Sequence, residues 1–447
     1  MLSKKIILKN AGMSVLQVLV MGLALAVLYR YLLDHLGSEL LGVWSLVLAT
    51  ASLSQISNLG LIDSVVKFVS KFHSHGEQEK ISSLIQTICL TVAICLGGAL
   101  VGVFFLAENL LVIFLEPALL KEALWVLPFN LLSAWFMAIA SIYLAVLDGY
   151  HRVDLRNVIM IVNYVLYVTL SILLVKSHGL RGLAVAQFSI NLILLVMAYL
   201  RIQHLLKVPI IPRVWDRLIL KEIFKYSLGF QVVTVSKIVC DPLTKYLISW
   251  FGGLVLVAYF EMASKMIQQF RGLVVAANHA LIPAISELNE KQPQLIHKIY
   301  IMSYQWMLFI TIPLATLIGG MSPLISKVWI GAYNESFIYC TLILLIGWFL
   351  NLLSVPAYYV YVGIGRMKWN VISHGCIALL TLVFGVLFGK AGGGLGVIFG
   401  FSLALVLGGA VTMFSLHLEE NIRFRVLLPD MKHPLKWMLK GGDLLSD

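Results

Sequence analysis

The most constraining feature of this sequence is a series of apolar segments, each long enough to cross a lipid bilayer as a helix. A transmembrane helix needs roughly 20 apolar residues, and only 12% of the 447 residues are charged. A soluble domain usually carries about twice that share of charge. We therefore predict an all-α integral membrane protein with about 12 transmembrane helices, at residues 10–33, 40–65, 82–106, 122–147, 157–176, 182–203, 222–250, 253–285, 299–326, 337–362, 369–389 and 392–417.

Lysine and arginine are distributed unevenly between the two sides that this topology defines. Twelve spans put both termini on one side, which carries 23 of the 33 basic residues, against four on the other side. Since cytoplasmic loops are enriched in basic residues, we predict that both termini are cytoplasmic. The same arrangement explains most of the net charge of +11, so no nucleic-acid partner is expected. Six basic residues lie inside or at the edges of spans: Arg30, Lys237, Lys245, Lys265, Arg271 and Lys327.

The two halves of the chain resemble each other at a shift of 214 or 215 residues. The alignment pairs RYLLDHLGSELLGVW at 30–44 with KYLISWFGGLVLVAY at 245–259, and GLRGLAVA at 179–186 with GGLGVIFG at 393–400. A repeat of six spans keeps its orientation, and such paired bundles enclose a site between them and alternate by rocking. We predict an N-terminal lobe at 1–204, a cytoplasmic linker at 205–221, a C-terminal lobe at 222–418 and a cytoplasmic tail at 419–447.

Spans seven and eight carry charges on matching faces. Lys237, Asp241 and Lys245 are four residues apart, and Glu261 and Lys265 show the same spacing after the turn. In an antiparallel hairpin, residues at equal depth have a constant sum of residue numbers. This rule predicts two ion pairs across the hairpin, Asp241 with Lys265 and Lys245 with Glu261.

This hairpin holds more bases than acids, because Lys237 and Arg271 have no acid of their own. A surplus of base in a wet cavity favours an anionic ligand, since unpaired charge inside a membrane is costly and usually functional. In the alternative, Arg271 reaches the cytoplasmic face and the other charges only pin the two spans together. Pro242 removes the helical hydrogen bond to the Ile238 carbonyl, and we predict that it acts as a hinge.

Three short stretches resemble one known family. They are GLIDSVVKFVSKF at 60–72, the step KIVCD at 237–241 followed by Gly252 and VAY at 257–259, and GIGR at 363–366. Together with the span pattern, they resemble the Wzx-type polysaccharide flippases of the multidrug/oligosaccharidyl-lipid/polysaccharide (MOP) exporter superfamily. The resemblance extends from the first span to about Leu416. The carboxy-terminal segment after Glu419 is short and basic, unlike the two extra spans of the MurJ-like lipid II flippases.

The resemblance implies two six-helix lobes around a cationic lumen. It also implies that undecaprenyl-diphosphate-linked oligosaccharides, such as O-antigen units of lipopolysaccharide, are flipped by alternating access from the cytoplasmic to the periplasmic leaflet of the bacterial inner membrane. Membrane lipid and a polysaccharide polymerase, with other assembly proteins, are the expected partners. The residues expected to line the lumen are Arg30, Lys237, Lys245, Lys265 and Arg271.

The sequence leaves open which ion, if any, drives transport, and it leaves an alternative function to consider. Asp241, Glu261 and Asp63 are candidates either for binding a coupling H⁺ or Na⁺ or for charge pairing, and no other cofactor or metal is expected. A MATE-type drug/cation antiporter of the same superfamily is the alternative, although its cationic cargo calls for an acid-rich cavity. A membrane glycosyltransferase would need large outer loops, and an ATP-driven exporter would need a phosphate-binding loop. Neither feature occurs in the sequence, so no enzyme is predicted.

Overall fold

The computed structural model describes residues 4–53, 61–206, 209, 212–279 and 281–422. Within these ranges it does not describe the side chains of residues 4–11, 63, 225–234, 236, 237, 273, 276, 277, 279, 283, 284, 287 and 290. The described residues form helices and no strands. The helices are α1 (Lys4–Leu53), α2 (Leu61–Ser74), α3 (Gln78–Leu111), α4 (Pro117–Gly149), α5 (Val153–Leu206), α6 (Arg217–His279), α7 (Ile282–Lys291), α8 (Gln294–Ile325) with a π-helical turn (Ser326–Ile330), α9 (Glu335–Leu352), α10 (Val355–Gly363) and α11 (Lys368–Glu419).

Four of these long helical segments contain a glycine at which the backbone leaves the helix. Its φ is positive and its ψ is extended, a combination that is essentially restricted to glycine. In α6 the two halves fold back on each other, because Lys245 and Glu261 are in contact although a straight helix would hold them about 24 Å apart. The four glycines are Gly37 in α1, Gly179 in α5, Gly253 in α6 and Gly393 in α11.

The prediction of an all-α membrane protein with about 12 spans in two lobes is confirmed. Eight of the described helical segments are long and apolar enough to cross a membrane, and four of them contain a turn glycine and therefore cross twice. The predicted tenth span is interrupted, because α9 ends at Leu352 and α10 begins at Val355. Pro356, which lacks an amide hydrogen, stands in the first turn of α10.

The turn glycines correct the register of the internal repeat. Gly37 and Gly253 have nearly the same backbone angles, φ 77° with ψ 169° and φ 77° with ψ 173°, so they are equivalent at a shift of 216 residues. The sequence alignment, at 215, paired Gly37 with Gly252 and was one residue out at this turn. As a result, Lys245 precedes its turn glycine by eight residues and Arg30 precedes its own by seven. Arg30 and Lys245 are therefore not structurally equivalent.

The two lobes meet along α1 and α6, which run antiparallel to each other. Across the interface, the Thr50 and Tyr246 hydroxyls lie 2.6 Å apart, and the indole of Trp329 donates to the Ala26 carbonyl at 2.7 Å. Beside the turns, Gly42 packs directly on the backbone of Leu254. One large apolar cluster extends through both lobes, and two smaller clusters lie in the C-terminal half of the described chain. These contacts close the interface at the end of the molecule that carries the Gly37 and Gly253 turns.

The segment before α6 is tied to α3 by hydrogen bonds. The Gln86 side-chain oxygen accepts from the backbone amides of Arg213 and Val214, at 2.9 and 3.3 Å, and the Thr87 hydroxyl accepts from Asp216 at 3.0 Å. The Asp216 carboxylate caps the first turn of α6 by accepting from the Leu218 amide at 2.8 Å. Helix α5 ends at Leu206 and α6 begins at Arg217. The lobe limits at 204 and 222 and the tail from 419 stay predictions.

Candidate functional site

A cluster of charged side chains lies where the two halves of α6 face each other. Lys245 Nζ is 2.7 Å from Asp241 Oδ2 and 2.8 Å from Glu261 Oε2. Glu261 Oε1 lies 3.5 Å from Lys265 Nζ and accepts a hydrogen bond from the Tyr29 hydroxyl at 3.2 Å. The side chains of Lys245 and Glu261 are only 5% and 3% exposed. Both carboxylate oxygens of Glu261 therefore have partners within the protein, whereas Asp241 is held by Lys245 alone among the described contacts.

One of the two ion pairs predicted from the hairpin is confirmed. Lys245 pairs with Glu261, as the constant sum of residue numbers requires, but among the described residues Asp241 pairs with Lys245 and not with Lys265. Partners four residues apart on one helical half are close enough to interact. Asp241 and Lys265 therefore each bind within their own half, to Lys245 and Glu261 respectively.

The cluster opens into a cavity of about 320 Å³ inside the C-terminal lobe. Its walls come from both halves of α6 and from α9 and α11. Other polar and aromatic groups share the wall with the ions, among them Gln268, Trp348, Asn351 and His374. Three bases and two acids line this cavity: Lys245, Lys265, Arg271, Asp241 and Glu261. The surplus of base expected from the sequence is therefore present, at one unit among the described side chains.

Arg271 turns into this cavity. Its guanidinium lies 4.6 Å from the centre of the Trp348 ring, an arrangement in which the ring face attracts the cation. Its Nε is buried without a hydrogen-bond partner, and among the described side chains no carboxylate forms an ion pair with it. The alternative that Arg271 reaches the cytoplasmic face is wrong. Arg271 is therefore a positive charge in the cavity wall, held by an aromatic ring and not by an acid.

Arg30 lies in a different environment. Its Nε is 3.0 Å from Asp34 Oδ2, and its Nη1 donates to the Trp329 carbonyl at 3.3 Å. It lines a second cavity, of about 560 Å³, between the first half of α1, the second half of α6 and the end of α8. Apart from Arg30, Lys265 and Gln269, that cavity is lined by apolar residues and a glycine. Lys265 lines both cavities and thus connects the polar one with the apolar one.

The remaining predicted site residues are Lys237, Asp63 and Pro242. The side chains of Lys237 and Asp63 lie outside the described part of the structure. Pro242 lies inside α6, which continues as a helix on both sides of it. The proposed hinge at Pro242, the substrate-binding roles and the ion-coupling roles stay predictions.

Two residues of the site were missed from the sequence. Tyr29 was overlooked because the sequence alignment paired Arg30 with Lys245. However, Tyr29 lies eight residues before the turn glycine Gly37, just as Lys245 lies eight residues before Gly253, whereas Arg30 lies seven residues before Gly37. Counting from Gly37 would have found it. Trp348 carries no sequence signal, because it lies on α9, 77 residues after Arg271, and only tertiary packing brings the two together.

Comparisons with known proteins agree with this architecture. The sequence model of a family described as polysaccharide biosynthesis protein matches residues 59–338. The comparison with curated protein sequences finds no match.

Several solved structures share the fold at low sequence identity. An inward-facing multidrug resistance MATE family transporter of the MOP superfamily has a TM-score of 0.78 at 14% identity, with 90% of this chain and 94% of that chain covered. The lipid II flippase MurJ in an inward closed conformation has a TM-score of 0.72 at 13% identity, covering 98% and 92%. A MOP superfamily transporter from Pyrococcus furiosus, described by the reverse polarity of its binding pocket, has a TM-score of 0.58 at 12% identity, covering 92% and 93%.

Proposed function

This chain belongs to the polysaccharide biosynthesis protein family, and from that premise we propose that it is a flippase for undecaprenyl-diphosphate-linked oligosaccharide units. It carries them from the cytoplasmic to the periplasmic leaflet of the bacterial inner membrane, with both of its own termini in the cytoplasm. Its twelve-span fold is that of the MOP superfamily, whose members compared above are named as transporters or as a flippase.

The observation that carries this proposal is the unneutralised positive charge in the cavity of the C-terminal lobe. Arg271 has no acid partner among the described side chains, and Lys265 holds its acid loosely, at 3.5 Å with 40% of the side chain exposed. A diphosphate is a multiply charged anion, and arginine and lysine are its usual protein ligands. The same surplus would repel a cationic drug, which disfavours the alternative of a MATE-type drug/cation antiporter.

The five basic residues of the proposed lumen have different proposed roles. Lys265 and Arg271 have donors free for the diphosphate, whereas Lys245 is enclosed by two carboxylates and holds the α6 hairpin together. Arg30 stands in the apolar cavity, whose lining suits the polyprenyl chain, while Lys265 joins that cavity to the polar one. Lys237 is proposed to line the cationic lumen together with these residues.

Alternating access requires the interface between the lobes to open at the end that carries the Gly37 and Gly253 turns, where buried contacts now close it. The contacts to be broken include those between Thr50 and Tyr246, between Trp329 and both Ala26 and Arg30, and between Tyr29 and Glu261. Hydrogen bonds between neutral groups contribute about 0.5–1.5 kcal/mol net each, and those made by the charged Arg30 and Glu261 contribute about 1.5–3 kcal/mol each. A rocking motion can break a small set of this strength when the cargo binds.

Polysaccharide export in cells lacking the chromosomal gene tests the proposal. Arg271→Gln should lower surface polysaccharide at least tenfold at equal membrane levels of protein, and Arg271→Lys should keep part of it because the charge remains. Lys390→Gln serves as the control, because Lys390 is exposed and lies beside the Gly393 turn, away from both cavities. Normal export by Arg271→Gln would remove Arg271 from the anion path. Efflux of a cationic dye that depends on Asp241 would favour the antiporter.

A further inference from the structure

The Lys245 ammonium lies between two carboxylates in the way a bound metal cation would. Asp241 Oδ2 and Glu261 Oε2 approach its nitrogen to 2.7 and 2.8 Å, and they come from opposite halves of α6. The lysine side chain is only 5% exposed, whereas that of Asp241 is 47% exposed and faces the cavity. The position is thus enclosed by oxygen atoms on one side and reachable through the cavity on the other.

The charges around this position already cancel. Asp241 and Glu261 contribute two negative charges, and Lys245 and Lys265 contribute two positive ones, all linked by ion pairs of 3.5 Å or less. The cavity wall also contains Arg271, which is positive. A metal cation entering from the cavity would therefore meet no net negative charge, and both carboxylates would have to release an ammonium to bind it.

We propose that Lys245 is a built-in counter-ion that fills the position of a coupling metal cation, so that this cluster of described side chains binds no Na⁺. Removing the lysine side chain unmasks a sodium site made by Asp241 and Glu261. Sodium is a hard cation that takes oxygen ligands, and the cluster without Lys245 carries one net negative charge. It follows that sodium binding at this cluster does not reset the carrier during the transport cycle. This consequence rests on the proposed function.

Two substitutions of Lys245 distinguish the effect of removing its charge from the effect of emptying the volume that its side chain occupies between the carboxylates. Lys245→Ala removes the ammonium and leaves room beside both carboxylates, whereas Lys245→Met removes the charge and fills the room with an apolar chain of similar length. The proposal therefore predicts different responses to sodium from two variants with the same net charge. Lys265→Ala is a further control, since it leaves Lys245 in place between its two acids.

The experiment uses the purified full-length protein in detergent, without any lipid-linked cargo. Thermal unfolding is measured in sodium chloride and in N-methyl-D-glucamine chloride at equal ionic strength, together with binding of radioactive sodium. Wild type, Lys245→Met and Lys265→Ala should show no sodium-specific response. Lys245→Ala should bind about one sodium ion per chain and unfold a few degrees higher in sodium. Adding Glu261→Gln to Lys245→Ala should abolish that binding.

Two results would overturn the proposal. Sodium binding by the wild type that Asp241→Asn abolishes would show that the cluster is itself a metal-ion site. A folded Lys245→Ala protein that ignores sodium would show that the carboxylates form no latent site. If Lys245→Ala is recovered in neither salt although Lys245→Met is recovered, the proposal fails as well, because sodium should replace the lost charge. Since no cargo is present, these outcomes are independent of whether the protein flips polysaccharide precursors.

Discussion

At the scale of single residues, Lys245 and Lys265 bind the same carboxylate but in very different surroundings. Lys245 is 5% exposed and lies 2.8 Å from Glu261, while Lys265 is 40% exposed and lies 3.5 Å from it. A buried ion pair that loses one partner leaves an uncompensated charge, whereas a half-exposed pair is screened by water. The structure thus separates a lysine that holds the fold from a lysine that is available to a ligand.

A prediction follows for the stability of the two lysine variants in sodium-free buffer. Lys245→Ala should lower the free energy of unfolding by about 3–5 kcal/mol, because it breaks the buried pair with Glu261 and leaves Asp241 without its ion-pair partner. Lys265→Ala should lower it by less than about 1 kcal/mol, because Glu261 keeps Lys245 and Tyr29. Unfolding of the purified proteins, followed by tryptophan fluorescence in increasing denaturant, measures the difference. Equal losses would mean that the two pairs are buried to the same extent.

At the scale of helices, the turn glycines decide where one span ends and the next begins. Gly253 adopts φ 77° and ψ 173°, and a Cβ added there would touch nothing within 4 Å. Its requirement for glycine is therefore conformational and not a matter of space. At the neighbouring Gly252, glycine is required for lack of space, because a Cβ there would lie 2.7 Å from the Gly394 Cα.

Substitution of Gly253 tests this conformational requirement. Gly253→Ala should lower the free energy of unfolding by about 1–3 kcal/mol, since a side chain is strained at these backbone angles. Gly320→Ala is the matched control, because Gly320 lies inside α8, where an added Cβ also meets nothing within 4 Å. That change should be neutral or stabilising by up to about 1 kcal/mol. Comparable effects of the two substitutions on the melting temperature would contradict the assignment of the turn.

At the scale of the whole molecule, the two lobes are joined by contacts at both ends of the interface. Beside the turn glycines, buried groups such as Tyr29 and Glu261 connect α1 with α6. At the opposite end, Lys71 of α2 pairs with Glu222 of α6 at 3.1 Å, and both side chains are about half exposed. An exposed pair of this kind contributes at most about 1 kcal/mol. We therefore expect the end with Lys71 and Glu222 to open more easily than the end with the turns.

The proposed orientation of the molecule can be tested by labelling single cysteines. In a variant without the five native cysteines, His178→Cys should react with a membrane-impermeant maleimide added outside right-side-out vesicles. His75→Cys should react only after the vesicles are opened, because the excess of basic residues places its loop in the cytoplasm. Both histidines are exposed, and they lie at opposite ends of the spans. The reverse labelling pattern would invert the topology and the direction of transport.

Several properties of this protein depend on local order along the chain and could be predicted without its tertiary contacts. Apolar segment length fixed the number of spans, and the distribution of lysine and arginine predicted the orientation. The pairing of Lys245 with Glu261 was also predictable, because residues equally far from a tight turn lie at the same depth. Such features need only the neighbouring sequence and the thickness of the membrane.

The final partners of the charged residues, in contrast, depended on tertiary packing. It placed Arg271 on the Trp348 ring, assigned Asp241 to Lys245, and set Lys265 between a polar and an apolar cavity. It also shifted the repeat by one residue at the Gly253 turn, which separated the positions of Arg30 and Lys245. These outcomes depend on how helices pack side by side, and helices far apart in the sequence leave no periodic signal of their contacts.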